Sequence, residues 1–187
     1  EGINRLLQMT ANREGFGDIL AEGVKRAAES LGSPALECAV FTGKGNTPRG
    51  HDHRGRWSEL FSGVVGSIGT IETSPLAHPE EFGVSPIANA FDPEEVAVSL
   101  GLALGRRHFE DSLGACNFTL GTTVTLICGA LSAVTGWNYT KEEAMRLGQR
   151  TSALFRAFSA RCGHTPDMEW PSLRYGSTPK DGPAVGQ

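Results

Sequence analysis

Apolar residues recur along this chain mostly at helical spacing. Ile3, Leu6 and Leu7 share one side of residues 3–10, which reads as the tail of a helix broken by Gly15 and Gly17. Asp18 is placed to cap a second helix running to about Leu31, with Leu20, Val24, Ala27, Ala28 and Leu31 as its stripe, and Gly32 and Pro34 as its stop. A third begins at Asp92-Pro93-Glu94-Glu95, which joins an N-cap, a proline at the first helical position and a glutamate at N3. Val96, Leu100, Ala103 and Leu104 mark its buried face, and it is expected to fade near His108. Residues 122–134 are apolar nearly all round, which predicts a buried helix stopped by Gly136. Thr140 to Glu143 forms a capping box, opening a long helix with Ala144, Leu147, Thr151, Leu154, Phe155 and Phe158 as its core stripe. From Thr165 onward, with Pro166, Pro171, Pro179 and Pro183, the chain reads as loop.

Residues 33–91 break this rhythm. They are rich in Gly, Pro and Ser, with a strand expected only at Ala39-Val40-Phe41 and a short helix from Arg56 to Val65. A long irregular stretch inside a folded chain usually has a task, so this one is expected to line a pocket or cover a cofactor. The fold class is therefore mainly α and multihelical, with a long irregular segment and at most a few short strands. The organisation divides into residues 1–91, a helical segment plus pocket-lining loops, and 92–187, a helical domain with a loop tail.

Composition narrows the function. The 187 residues are 39% hydrophobic and 20% charged, as expected of a water-soluble globular chain. A net charge of −4 gives no footprint for nucleic acid. The richest apolar run, Val124 to Val134, is too short to span a membrane. No basic segment leads into an apolar one, so no signal peptide is expected, and a first residue of Glu is read as a start within a longer polypeptide. The cysteines, Cys38, Cys116, Cys128 and Cys162, form no C-x-x-C pair, which argues against a self-contained zinc or cluster site and against a disulfide framework. The expected compartment is the reducing cytoplasm.

The densest chemistry lies in Asp111-Ser112-Leu113-Gly114-Ala115-Cys116-Asn117-Phe118. A carboxylate and a thiol stand five positions apart around a glycine, on a loop just after a helix ends. A thiolate can ligate an iron–sulfur cluster, and a carboxylate can accept hydrogen bonds from the N–H edge of a flat heterocycle. Taken alone, the same turn is also a helix C-terminus with Gly114 left-handed, a buried cysteine and a solvated aspartate. A cluster normally needs four cysteine ligands, and Cys116 has no companion at suitable spacing.

The surrounding blocks carry a resemblance. Arg13 to Ala28 (REGFGDILAEGVKRAA), Asp111-x-x-Gly114-x-Cys116, Ala133-Val-Thr-Gly-Trp137 with the Thr140 capping box, and Gly182-Pro-Ala-x-Gly186 occur in order. Together they resemble the aldehyde:ferredoxin oxidoreductase family of tungsten enzymes, in its C-terminal helical domains. The resemblance implies a tungsten (or molybdenum) bis-pterin, with Asp111 hydrogen-bonding a pterin and the backbone around Gly114 and Ala115 helping to hold it. It implies that Cys116 is the last ligand of a 4Fe–4S cluster, whose other three ligands lie in a missing upstream domain. It further implies a ferredoxin-type electron carrier and a small aldehyde or acyl-CoA substrate; a homodimer is compatible with it. One loop touching both centres would fix the distance between them, while the cofactor carries the redox chemistry.

Two further stretches are candidates. Thr47-Pro-Arg-Gly-His51-Asp52-His53-Arg54-Gly55 is a polar loop; the family carries a similar stretch on the substrate side, which suggests a catalytic role for His51. Its arginines suit an anionic substrate group. Zinc held by His51, His53 and a cysteine is a rival reading. Ser67-Ile68-Gly69-Thr70-Ile71-Glu72 places Glu72 where aldehyde-oxidising members of the family have a histidine. Glu72 is thus a candidate general acid or base, with a pKa expected to be raised by desolvation. The Gly-Asn-Thr-Pro-Arg-Gly-His-Asp-His-Arg wording of residues 45–54, together with that altered loop, leans toward the branch with the tungsten benzoyl-coenzyme A reductase subunit. A helical interaction module without redox chemistry is the remaining alternative. Cys128 reads as core, Trp57 and Trp137 as packing residues, and His78, His108 and His164 as lone histidines. Gly43-Lys44-Gly45-Asn46 lacks phosphate-loop spacing.

Overall fold

Caps and left-handed glycines divide the chain into helices in the computed structural model, which describes residues 1–69, 72–116 and 118–187. Thr70, Ile71 and Asn117, from two of the candidate stretches, lie outside the described residues. In chain order the helices are α1 (Gly2–Asn12), α2 (Phe16–Ala21), α3 (Val24–Leu31), α4 (Ala35–Cys38), α5 (Trp57–Val65), α6 (Pro93–Ala103), α7 (Arg106–Ser112), α8 (Val124–Thr135) and α9 (Lys141–Arg161). Short 3-10 turns stand at His53–Gly55, Pro79–Phe82, Pro166–Met168 and Leu173–Gly176. The mainly α, multihelical expectation holds. No helix is long and apolar enough to cross a membrane among the described residues.

The capping signals at Asp92 and Thr140 act as written. Asp92 accepts from the Glu94 and Glu95 N–H groups at 2.9 and 3.0 Å, and Thr140 and Glu143 bond reciprocally at 3.2 and 2.9 Å. Other boundaries differ from expectation. The helix expected from Asp18 to Leu31 is two, because Gly23 at φ 85° leaves the helical region between α2 and α3. Asp18 lies inside α2 and pairs with Arg13 at 2.6 Å instead of capping. The helix expected to run from Asp92 to His108 likewise breaks at Gly105, φ 107°, and restarts as α7, which continues past His108 to Ser112.

The expected strand at Ala39–Phe41 is not formed. The segment makes a single bridge, Thr42 to Pro171, flanked by Gly43 N–H to the Trp170 carbonyl at 2.7 Å and Ser172 N–H to the Phe41 carbonyl at 2.9 Å. Beyond it, the Ser172 hydroxyl replaces a strand partner, accepting from Phe41 N–H and donating to the Ala39 carbonyl.

One core cluster joins α7, α8 and α9 through Phe109, Val124, Ile127, Cys128, Ala144 and Met145. Two buried faces are narrower than the apolar pattern predicts. On α8 burial is confined to Val124, Ile127 and Cys128, while Leu126 and Val134 face solvent. On α9 the buried face is Ala144, Met145, Gly148 and Ser152, and Leu154, Phe155 and Phe158 are exposed. Trp137 is exposed rather than packed, whereas Trp57 meets Phe91 edge-on at 5.7 Å.

The shift on α9 has a steric cause. Gly148 lies against the Gly105 backbone, where a Cβ would overlap the carbonyl. On an exposed helix, Gly→Ala stabilises by about 1 kcal/mol. Here Gly148→Ala should destabilise by about 1–3 kcal/mol, because α7 and α9 must separate. Denaturant midpoints test this, and a stabilised variant would show that the crossing is looser than described.

Candidate functional site

Asp111 and Cys116 bracket the exit of α7. Asp111 belongs to the helix's last turn rather than to the loop after it. Its half-exposed carboxylate has Arg107 Nε at 3.8 Å, one helical turn back. The chain then turns at Gly114, whose φ of 69° is the left-handed conformation that suits glycine, and no atom of the described residues stands where a Cβ would project. Ala115 is half-buried, and the Cys116 thiol is free and exposed.

Buried charge holds this turn in place from behind. Arg106 pairs with Glu110 at 2.8 Å, both nearly enclosed, and reaches the Leu120 and Thr122 carbonyls at 3.3 and 2.9 Å. Thr119 closes the bend, donating its N–H and hydroxyl to the Cys116 carbonyl at 2.9 and 2.7 Å. The backbone is thereby anchored inward, while carboxylate and thiol stay outside. A free thiol, an accessible carboxylate and an open glycine suit a cluster ligand beside a hydrogen-bond acceptor for a heterocycle. Apolar and cationic groups flank the turn: Phe118 is exposed, and the Arg49 guanidinium lies 5.5 Å from its ring centre. Arg49 belongs to the histidine-rich loop, so two stretches far apart in sequence meet here.

Glu72 is buried. Its Oε1 accepts from Ser152 Oγ at 2.6 Å and lies 3.0 Å from His108 Nε2; its Oε2 accepts from Ser67 N–H at 2.6 Å. An ionised carboxylate only accepts, so His108 carries its proton on Nε2. Burial pushes the Glu72 pKa up, but the bonds from Ser152, His108 and Ser67 outweigh it and leave the group below the usual glutamate value. The expectation of a raised pKa is thus corrected: three donors compensate for desolvation. Ser62 on α5 supports the segment by accepting from the Glu72 and Thr73 N–H groups, each at 3.1 Å. Lys44 donates to the Gly66 carbonyl and Asn46 to that of Gly69, so the Gly43–Asn46 stretch braces this loop.

A mostly apolar cavity of about 420 Å³ opens between α5, α6 and α9. Glu72 and Ser152 stand in its wall with Leu100, Leu104, Gln149 and Arg156. His51 does not line it. Instead, His51 Nδ1 is 2.8 Å from Glu59 Oε2, and His53 Nε2 is 3.3 Å from the same oxygen. Burial pushes the His53 pKa down, only partly opposed by Glu59. Burial pushes Glu59 up, yet the bonds from His51 and Arg56 bring it below its usual value. Arg54 holds Asp52 as a carboxylate, with a pKa of about 2.

The structure therefore separates the two groups named as catalytic, Glu72 and His51, into different clusters joined by α5, which presents Glu59 to one and Ser62 to the other. Glu59, Ser62, His108 and Ser152 were not tied to these sites by sequence. His108 sits where helical periodicity suggested only a fading end. Glu59 carried a signal, being eight residues after His51 and in the first turn of the expected helix. No cysteine joins His51 and His53 among the described residues, so the third member of that group is Glu59.

Residues 1–187 match the family model described as aldehyde ferredoxin oxidoreductase, domains 2 and 3. The tungsten-containing aldehyde ferredoxin oxidoreductase of Pyrococcus furiosus is similar at 30% identity over 175 residues, covering 89% of this chain and 27% of that protein. The protein of the same name from Pyrococcus horikoshii is similar at 27% over 172 residues, covering 90% and 28%. The chain thus spans just over a quarter of the length of these relatives. No solved structure matches it significantly.

Proposed function

Because the chain belongs to the aldehyde ferredoxin oxidoreductase family, over its domains 2 and 3, we propose that it is part of a tungsten (or molybdenum) pterin oxidoreductase. The full-length enzyme would act in the cytoplasm, oxidise aldehydes to carboxylic acids and pass electrons to a ferredoxin-type carrier. The observation that carries this reading is the Asp111–Cys116 turn, anchored by Arg106 with its thiol and carboxylate left accessible.

In this reading Asp111 accepts hydrogen bonds from a pterin, Gly114 and Ala115 present backbone to it, and Cys116 supplies one thiolate to a 4Fe–4S cluster. The bound pterin metal and cluster would supply the redox chemistry and the exit for electrons. Three more cluster ligands must come from outside this chain. Exposed apolar side chains on α1 (Ile3, Leu7) and α9 (Leu154, Phe158) support further protein surface there. We place the boundary between the two domains at residues 91 and 92, where Asp92 opens α6.

Glu72 is the proton-handling group of this reading. Its depressed pKa makes it an acceptor in the cavity wall rather than an acid. The same residue favours a second reading within the family, reduction of an aromatic acyl-CoA thioester, because it stands where aldehyde-oxidising members are expected to carry histidine.

Anaerobic purification of the full-length polypeptide tests the proposal. It should contain tungsten or molybdenum together with cluster iron, and should reduce a viologen dye when given an aldehyde. Aromatic acyl-CoA turnover without aldehyde turnover selects the second reading. Absence of both metals after supplementation overturns both.

A further inference from the structure

The loop before α5 brings two imidazoles and a carboxylate to one point. His51 Nδ1 and His53 Nε2 converge on Glu59 Oε2 at 2.8 and 3.3 Å, and all three ligand atoms lie within 4.8 Å of one another. Around a tetrahedral ion with ligands at about 2.0–2.1 Å, neighbouring donors lie roughly 3.3 Å apart. The His53 pair already has that spacing, and the His51 pair needs to open by only about 0.5 Å to reach it.

The second observation is His53 itself. Its side chain is 1% exposed, yet neither ring nitrogen has a hydrogen-bond partner among the described residues. The 3.3 Å approach to Glu59 is poorly aligned for a hydrogen bond. An unpaired buried polar atom costs about 1–3 kcal/mol and calls for an explanation. Stacking on Tyr175, with ring centres 6.2 Å apart and planes 10° from parallel, fixes the imidazole plane.

The surroundings complete the arrangement. Arg56 binds Glu59 Oε1 at 3.0 Å, leaving Oε2 toward the histidines. Arg54 fastens the loop by bonds to Ser177 O and Oγ, both at 2.9 Å. The arginines Arg49 and Arg56 oppose a cation, but Arg56 is paired with Glu59 and Arg49 lies over Phe118. The His51 side chain is 36% exposed, so one side stays open to solvent.

We propose that His51, His53 and Glu59 bind one divalent first-row metal ion of zinc type, with a fourth position open to water or a substrate oxygen. Two imidazoles, one carboxylate and an open position form a donor set suited to such ions. His51 then serves as a ligand rather than a free proton carrier. The proposal uses none of the residues assigned to the pterin or to the cluster.

The full-length polypeptide, treated with a chelator, loaded with zinc chloride and desalted, provides the test. The wild type should retain one more zinc per chain than His51→Ala or Glu59→Gln; Glu59→Gln preserves side-chain shape, and circular dichroism checks folding. Zinc affinity should fall by more than the roughly 10–100-fold that outer-shell changes cost. Zinc X-ray absorption should show nitrogen and oxygen neighbours at about 2.0–2.2 Å. Equal zinc in wild type and folded variants, or no zinc retained by the wild type, would overturn the site.

Discussion

Replacing Cys116 by alanine in the full-length polypeptide should abolish the iron–sulfur cluster. About four iron atoms per chain are expected to disappear, together with the reduced cluster's EPR signal and all dye reduction. The reason the effect should be local lies in the turn. Among the described residues only the Cys116 carbonyl is used by the fold, accepting two bonds from Thr119, and alanine retains that carbonyl. The thiol is exposed and forms no disulfide among the described residues. Its loss should change folding stability by no more than about 0.5 kcal/mol, as for surface substitutions away from special features. A variant that folds normally but lacks cluster iron therefore reports ligation, not collapse of the loop.

Asp111→Asn provides a contrasting measurement. It removes a charge near Arg107 while keeping the shape, so cluster iron should stay while pterin metal content falls. If Cys116→Ala keeps its full iron and EPR signal, Cys116 is not a ligand and the central role given to this turn is lost.

What could be read in advance follows from the range of each interaction. The caps at Asp92 and Thr140 and the stops at Gly32 and Gly136 are settled within a few residues, so they were legible. Gly23 and Gly105 fall inside helices that periodicity predicts as continuous, because their positive φ is imposed by neighbours and leaves no mark on the apolar pattern. The α9 stripe failed for the same reason: close approach of α7 at Gly148 turned small residues inward and left Leu154 and Phe158 outside. At the candidate sites, spacing could single out Asp111, Cys116, His51 and Glu72. It could not find Ser152 or His108, which meet Glu72 across 80 and 36 residues. The sign of the Glu72 pKa shift depended on those distant donors, so burial alone suggested the wrong direction.

Glu72→Ala should be among the most destabilising single changes in the chain, at about 3–5 kcal/mol, the cost of removing one partner from a buried ionic arrangement. It strips an acceptor from the Ser152 hydroxyl, His108 Nε2 and Ser67 N–H together. Glu72→Gln keeps the volume but sets an NH2 group against one of those donors, so it should recover only part of the loss. The two variants also separate packing from charge through pH. Because the folded carboxyl has a pKa below its ordinary 4.5, ionisation favours the folded state. That contribution is fully present above about pH 4.5–5 and fades as pH falls through the folded value. The gap in unfolding free energy between wild type and Glu72→Gln should thus be level at neutral pH and narrow below pH 4.5. Denaturant titrations from neutral pH to pH 3 measure it. A gap that instead closes as pH rises above 5 would mean that the folded carboxyl holds its proton, and that Glu72 stands ready as an acid in the cavity wall.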